Sequence, residues 1–116
     1  MSLQRVSVSD FIVVLSAARR VNPSISKNLK PRKVEDYENL CLFSDGKFCG
    51  FGIAGDGQIV SVFSAVKGNG SNLINMAIKE GGTWLRCSKS LEGYYSRFGF
   101  NVVDMDSEKV IMEVGK

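Results

Sequence analysis

The sequence predicts a mixed α+β domain, and three observations support this fold class. Apolar residues recur at helical spacing in three segments, at 10–21, at 72–80 and just before Gly99. Strand-like segments flank two Asp-Gly dipeptides, which are typical of hairpin turns. The chain has 116 residues, the usual size of one folded unit, so we expect residues 1–116 to form a single domain.

The composition excludes several kinds of catalytic and metal site. The chain contains no histidine, so a histidine general base, a Ser-His-Asp triad and histidine metal ligands are excluded. The three cysteines form no Cys-x-x-Cys pair, and we expect no metal site. No apolar run reaches the ~18 residues of a membrane span, and no signal-peptide layout is present. We therefore expect a cytoplasmic protein with reduced thiols and no membrane partner.

Basic residues are concentrated in one segment. The net charge is only +3, but residues 19–33 contain six basic residues and no acidic one. Such a segment attracts a phosphorylated ligand, an acidic protein or a nucleic acid, or it is a solvated linker around Pro23 and Pro31. It has no interleaved aromatic residues for base stacking, so nucleic acid is the least expected of these partners.

The first helix is predicted at residues 10–21, with Ser9 as its cap. Asn22-Pro23 is expected to end it, and one short helical turn is expected at 34–40. Its buried face is expected to carry Phe11, Val14, Leu15, Ala18 and Val21.

Two hairpins are predicted next, around Asp45-Gly46 and Asp56-Gly57. The strands are expected at 39–44, 47–54 and 58–64. With a two-residue first turn, Cys41 faces Gly50, and Cys41 and Cys49 point to opposite faces without forming a disulfide. In the second hairpin one face is expected to carry Phe51, Ile53, Val60 and Val62, and the other Gly50, Gly52, Ala54, Ile59 and Phe63. Because both faces are apolar, helices should cover both.

The carboxy-terminal half is predicted to alternate between the two element types. After the helix at 72–80, a strand is expected at 83–88, followed by a short helix capped by Ser90 with Leu91, Tyr94, Tyr95 and Phe98 on one side. Strands at 101–104 and 109–114 are expected to close the chain. We expect 109–114 to be an exposed edge that is able to pair across a dimer, so that the protein is a monomer or a homodimer.

Two glycine motifs have different contexts. Gly50 to Gly55 spells G-x-G-x-x-G, but it lies inside a strand and runs into a hairpin, which disfavours dinucleotide binding. The segment 67–71, Lys-Gly-Asn-Gly-Ser, joins a strand to a helix, where unpaired N–H groups and the helix dipole favour an anion. The alternative is a flexible turn with Ser71 as an ordinary cap.

These residues, together with the segment Tyr95-Ser96-Arg97-Phe98-Gly99-Phe100, resemble the GNAT superfamily of acetyl-CoA-dependent N-acyltransferases. The resemblance covers about residues 58–100 and is only topological before Asn39. It implies a central, mostly antiparallel sheet with helices on both faces. It also implies that the fourth and fifth strands, at 58–64 and 83–88, splay apart into a V.

The resemblance also implies site residues. Acetyl-CoA would be the co-substrate, with no metal, and an amine of unknown identity, in a small molecule or a protein, would attack the thioester directly. Tyr95 would be the general acid that protonates the CoA thiolate. The pantetheine arm would contact main-chain groups of Val60 and Val62, and Ser88 stands where the family often has a cofactor-binding Asn. The pyrophosphate would lie on the N–H groups of Val66, Lys67, Gly68, Asn69, Gly70 and Ser71.

The sequence departs from the family pattern at the donor site. Ala65 stands where the family has Arg or Gln, and strand 58–64 contains no Glu that could act as a general base. A second hypothesis is therefore a non-catalytic binding or structural protein of the same fold, whose segment 19–33 contacts an acidic partner or nucleic acid. In that case Tyr95 is a core aromatic beside Leu91 and Phe98. For an enzyme, the basic loop indicates an acidic or phosphate-bearing acceptor.

Overall fold

The order of helices and strands follows the sequence prediction closely. A computed structural model describes residues 3–25, 33–66 and 70–114. Its elements are β1 (Gln4–Arg5), α1 (Val8–Val21), α2 (Val34–Glu38), β2 (Leu40–Ser44), β3 (Cys49–Ala54), β4 (Ile59–Ser64), α3 (Gly70–Lys79), β5 (Trp84–Ser88), a 3-10 turn (Lys89–Leu91), α4 (Glu92–Ser96), β6 (Phe100–Met105) and β7 (Lys109–Val114). The predicted segments agree with these bounds to within two residues, whereas β1 and the 3-10 turn were not predicted.

The strands form two antiparallel sheets that carry helices on both faces. The first sheet has the order β1-β2-β3-β4, and the second has the order β5-β7-β6. Helix α1 covers one face of the first sheet, where Phe11 packs with Phe63, and α3 covers the other, where Ile74 packs with Phe51. This arrangement confirms the mixed α+β class. No helix within the described ranges is long and apolar enough to cross a membrane.

Helix α1 begins two residues earlier than the sequence predicts. Its cap is Ser7 and not Ser9, because the Ser7 hydroxyl accepts a hydrogen bond from the Asp10 N–H at 3.2 Å. The predicted apolar face is buried except for Val21, which lies at the exposed last turn. The helix ends at Asn22, whose N–H donates to the Ala18 carbonyl, as the Asn-Pro pair predicts.

The turn between β2 and β3 is longer than the predicted two residues. The Asp45 carboxylate accepts hydrogen bonds from the N–H groups of Lys47, Phe48 and Cys49 at 2.9–3.1 Å, and this widens the loop. Cys41 consequently faces Ile53 and not Gly50. Cys49 is four residues from Ile53, so both cysteines belong to the same face and the predicted opposite placement is wrong. They still form no disulfide, since Cys41 is exposed and Cys49 is buried.

A bulge in β4 changes the second hairpin. The register shifts between Gly50 and Gly52, so that Ser61 and Val62 together lie opposite Phe51. Ile59 therefore shares the face of Ile53, and Val60 lies opposite Gly52, the reverse of the predicted faces for these two residues. One extra residue in one strand inverts the alternation on one side of it, which explains the error.

The last strand is not an edge. β7 lies between β5 and β6 and is hydrogen-bonded to both, so the expected exposed edge at 109–114 is wrong. The described edges are β1 and β4 in the first sheet and β5 and β6 in the second. A dimer formed by pairing of β7 is thereby excluded.

Gly50 permits the close approach of α1 to the first sheet, and it gives a testable prediction. A Cβ at residue 50 would lie 2.6 Å from the Phe43 carbonyl oxygen and 3.1 Å from the Phe11 ring. Because the carbonyl is main chain, it cannot rotate away. We expect Gly50→Ala to lower the free energy of unfolding by about 1–3 kcal/mol in a urea titration. Gly55→Ala is the control, since no atom lies within 4 Å of its Cβ position. Equal stabilities of the two variants would contradict this packing.

Candidate functional site

The two sheets meet at β4 and β5, and these strands part. Gln58 and Trp84 form a single parallel bridge at the start of the two strands, and the Thr83 N–H donates to the Gly57 carbonyl at 2.8 Å. Beyond the bridge the strands belong to separate sheets. A gap therefore opens toward the ends of the strands at Ser64 and Ser88, which is the splay that the sequence resemblance implied.

The bulge in β4 accounts for part of this divergence. Ser61 has a φ of 54°, in the left-handed region that non-glycine residues adopt rarely. A bulge bends its strand and increases its twist, and it also breaks the regular edge that a neighbouring strand would need for pairing. Nothing in the side chains of Val60, Ser61 and Val62 marks this position, so sequence reasoning missed it.

The pairing of β4 decides which of its main-chain groups face the gap. The Ala54 N–H donates to the Gln58 carbonyl at 2.9 Å, and hydrogen-bonded pairs alternate along an antiparallel ladder. Val60, two residues after Gln58, accordingly bonds toward Gly52, while main-chain groups of Ile59 face the gap. The register thus favours Ile59 over Val60 as a main-chain contact. The role of Val62, which lies in the bulge, stays a prediction.

At the wide end of the gap, the chain passes from β4 to α3. Val66 is more than two fifths exposed, and its N–H donates to the Ser64 hydroxyl at 3.1 Å while its carbonyl accepts from that hydroxyl at 2.7 Å. Lys67, Gly68 and Asn69 lie outside the described residues. Gly70 and Ser71 form the start of α3, whose first N–H groups have no partner within the helix. Ser71 is exposed.

Tyr95 lies on α4, which follows β5 after the 3-10 turn. Its side chain is half-buried against the core cluster of α3 and the second sheet, with its ring centroid 6.1 Å from that of Phe100. Burial raises the pKa of Tyr95 to about 12, and the neighbouring Cys87 and Tyr94 act in the same direction. The phenol is therefore protonated at neutral pH. Ser88, half-buried at the end of β5, has its hydroxyl oxygen 2.9 Å from that of Ser90.

Two predictions about this segment are wrong. Ser90 does not cap a helix, because it lies within the 3-10 turn that precedes α4. Leu91 is exposed and does not share the buried side of the helix. The 3-10 turn places successive side chains at 120° intervals, so the predicted α-helical spacing does not extend back to Leu91.

Tyr94 is the residue at this end of the fold that sequence reasoning missed. A Cβ at residue 70 would lie 2.6 Å from the Tyr94 hydroxyl oxygen, so this hydroxyl lies against the first residue of α3. The Tyr94 ring packs edge-on against Tyr95 at 5.1 Å and against Phe98 at 5.4 Å. Both tyrosines follow β5, but only Tyr94 contacts the start of α3 in this way. The family motif marks Tyr95 and gives no signal for Tyr94.

The basic segment is only partly described. Arg19 and Arg20 form the last turn of α1, and Lys33 precedes α2. The Nε atom of Arg19 is buried without a hydrogen-bond partner among residues 3–25, 33–66 and 70–114. Lys27, Lys30 and Arg32 lie outside the described residues, so their predicted contribution stays a prediction.

Comparison with known proteins identifies the fold. No protein-family model and no curated protein matches the chain. Among solved structures, it is similar to an acyl-CoA N-acyltransferase from Pseudomonas aeruginosa, with a TM-score of 0.68 and 17% identity over 98% of each chain. It is also similar to ElaA from Escherichia coli, with a TM-score of 0.70 and 16% identity over 98% of this chain and 99% of that one. The chain has the GNAT fold.

A third GNAT structure extends this result. An acetyltransferase of the GNAT family from Staphylococcus aureus has a TM-score of 0.54 and 10% identity over 98% of this chain and 99% of that one. The GNAT fold therefore spans the described chain from α1 to β7, including the part before Asn39 where the sequence showed only a topological likeness. The parting of β4 and β5 is the feature of this fold that creates the candidate site.

Proposed function

We propose that the chain is an N-acyltransferase that moves an acetyl group from acetyl-CoA to an amine. The observation that carries the proposal is the gap between β4 and β5, with the start of α3 at its wide end and Tyr95 on the helix that follows β5. Its main-chain groups on β4 suit an extended arm rich in amides, as the pantetheine arm is. The reduced, exposed Cys41 and the use of acetyl-CoA both fit the cytoplasm.

The proposed donor contacts divide along the gap. Main-chain groups of Ile59 would face the arm, and Val62 beyond it on β4 is a second proposed contact. Because the N–H of Val66, a predicted contact, already donates to the Ser64 hydroxyl, the pyrophosphate would lie at Lys67 to Ser71, with Lys67 adding a positive charge. Ser88 would contact the arm from the side of β5. Because Ala65 replaces the Arg or Gln of the family pattern, the main chain and Lys67 would supply most of the attraction for phosphate.

The proposed reaction is one displacement. The amine nitrogen forms a bond to the acetyl carbonyl carbon, the carbon–sulfur bond breaks, and CoA leaves as a thiolate. Tyr95 gives its phenolic proton to the sulfur and regains one from solvent, while the amine loses a proton to water. Burial raises the pKa of Tyr95 above the ~8.5 of a free thiol. Because the same burial disfavours the charged thiolate, it also raises the pKa of the CoA thiol, and the two pKa values become closer.

A non-catalytic protein of the same fold is the second candidate, and a specific observation favours it. None of the residues of β4 carries a carboxylate, and the sequence also lacks histidine, so no conventional general base faces the gap from this strand. In that case segment 19–33 would contact an acidic partner or, less favourably, a nucleic acid. For either candidate we propose one domain over residues 1–116 that acts as a monomer or a homodimer.

Calorimetric titration with acetyl-CoA, CoA and dephospho-CoA tests the proposed function. We expect saturable binding of acetyl-CoA and CoA that weakens when the 3′-phosphate is absent. Lys67→Ala should weaken the binding of acetyl-CoA and of CoA. Lys79→Ala, at the other end of α3, is the matched control and should leave the affinity for both ligands unchanged. No binding at millimolar acetyl-CoA would contradict the enzyme and favour the non-catalytic protein.

The acceptor class follows from the same proposal. Arg19, Arg20 and Lys33 flank the part of the basic segment that lies between α1 and α2, so we propose an acidic or phosphate-bearing amine as acceptor. A screen of amines with acetyl-CoA would contradict this if only polycationic amines were acetylated.

A further inference from the structure

One face of the second sheet carries no described helix. Leu85, Cys87 and Val110 face the core that the sheet shares with α3 and α4. Because side chains alternate between the two faces of a strand, their neighbours in sequence point to the opposite face. The core cluster beneath α1 and α2 contains no described residue of β5, β6 or β7. We call this uncovered side the open face, and its residues are Trp84, Arg86 and Ser88 on β5, Lys109, Ile111 and Glu113 on β7, and Asn101 and Asp104 on β6.

The strand register arranges the charged residues of the open face around Ile111. Arg86 lies beside Ile111 on β5, and Asp104 lies beside it on β6. Along β7, Lys109 comes two residues before Ile111 and Glu113 comes two residues after it. The two positive side chains therefore occupy adjacent sides of Ile111, and the two negative ones occupy the remaining sides.

The apolar part of the open face runs from one corner to the centre. Trp84 lies opposite Glu113 in the register, and both Trp84 and Ile111 are partly buried. We call the line through Trp84 and Ile111 the apolar line. The positive side chains of Arg86 and Lys109 lie on one side of this line, and the negative side chains lie on the other. An aromatic group bordered by charged groups is typical of surfaces where proteins meet.

This charge pattern is complementary to itself. A second copy that is laid face to face on the first, with the apolar line as the two-fold axis, brings its positive side over the negative side of the first. Arg86 of each copy then lies over the partner's Glu113, and Lys109 lies over the partner's Asp104. The strands of the two copies cross at a steep angle, close to the orthogonal class of sheet packing. Because a two-fold contact is reciprocal, each of these ion pairs occurs twice.

Asp106 lies in the turn after β6, beside the open face, and in this arrangement it comes near its own copy. Its carboxylate accepts hydrogen bonds from the N–H groups of Glu108 and Lys109 at 2.8 and 2.7 Å, and it pairs with Arg86 at 3.1 Å. These contacts direct its charge into its own chain. The Arg86 side chain is still 42% exposed, and a guanidinium has five N–H donors, so a second carboxylate can approach it.

We propose that the open face is the contact surface of a homodimer, with a second copy of this chain as its occupant. This inference does not rest on the proposed function. The balanced charges of the face give little net attraction for a nucleic acid or for a ligand of one sign, whereas the pattern matches a second copy of itself. The face has far fewer residues than the roughly 20–30 per partner of a standard interface, so we expect a weak dimer with a Kd on the order of 10 μM.

Sedimentation velocity and fluorescence over a range of concentrations test the association. Trp84 is the single tryptophan of the chain, so the tryptophan emission reports on the open face. Between about 1 and 500 μM we expect the mass to rise toward that of a dimer. The emission should shift to shorter wavelength with the same midpoint, because the indole ring leaves water. A protein that stays monomeric over this range, or that dimerises without a change in emission, would overturn the proposal.

Charge reversal on two separate chains tests the pairing itself. Asp104→Lys and Lys109→Glu should each weaken association by at least roughly 10-fold, because each places like charges opposite one another at two positions. An equimolar mixture of the two variants should dimerise again, since every contact then joins opposite charges, and mixing cannot restore a damaged fold. Glu80→Lys, exposed just after α3 and outside the open face, is the matched control and should dimerise as the wild type does. Single variants that associate as strongly as the wild type, or a mixture that stays monomeric, would overturn the proposal.

Discussion

Tyr95→Phe is expected to lower turnover by about 10²- to 10⁴-fold while the affinity for acetyl-CoA stays nearly unchanged. The variant keeps the ring that packs in the core beside Phe100, so the fold should be preserved. It lacks the proton that the departing thiolate needs. Steady-state kinetics with a reactive amine, together with calorimetry of the same sample, measures both quantities. Unchanged turnover would show that Tyr95 is only a core aromatic.

The pH profile gives a second view of the same residue. An acid must be protonated to act, and burial raises the pKa of Tyr95 to about 12. Its ionisation should therefore cause no loss of kcat between pH 7 and about 10, and a loss through this group should begin only above that range. A fall in kcat centred near the ordinary tyrosine pKa of ~10, absent from the Tyr95→Phe profile, would contradict the buried state described for this phenol.

Phe11→Ala is expected to lower the free energy of unfolding by about 3–5 kcal/mol. Phe11 is fully buried, and its ring meets Phe63 edge-on at 5.4 Å and Tyr37 at 5.6 Å. The truncation leaves a cavity at the point where α1, α2 and the first sheet meet. Because the free energy of unfolding of a small domain is only about 5–15 kcal/mol, this variant should lose a large part of its stability.

Urea titrations of Phe11→Ala and of a control variant on the same helix measure this effect. Val13→Ala is the matched control, because Val13 is 65% exposed on the opposite side of α1 and should change stability by less than about 0.5 kcal/mol. A Phe11→Ala variant as stable as Val13→Ala would contradict the placement of α1 on the sheet.

Local patterns predicted the elements well because each depends on near neighbours in the chain. The apolar spacing of Phe11, Val14 and Ala18 requires a helix with one buried face, and that face is buried. The fold itself came from two short motifs around Gly70 and Tyr95, because periodicity alone does not distinguish GNAT topology from other α+β arrangements.

The errors occur where contacts between distant or irregular segments decide the structure. One carboxylate, that of Asp45, accepts three main-chain hydrogen bonds and lengthens a turn whose Asp-Gly dipeptide is typical of shorter loops. The bulge at Ser61 shifts one strand by one residue without any marker in the side chains. The contact of Tyr94 with Gly70 joins residues 24 positions apart, and no local pattern contains it.

The central position of β7 determines the order in which the two sheets can form during synthesis. β5 and β6 are each bonded to β7 and not to one another. A nascent chain leaving the ribosome has every strand of the first sheet once Ser64 has emerged, but its second sheet has no shared partner until residues 109–114 emerge. Tyr94 and Tyr95 on α4 therefore gain their supporting sheet only after β7 has emerged, and a nascent chain that has folded only its first sheet still lacks the second wall of the gap.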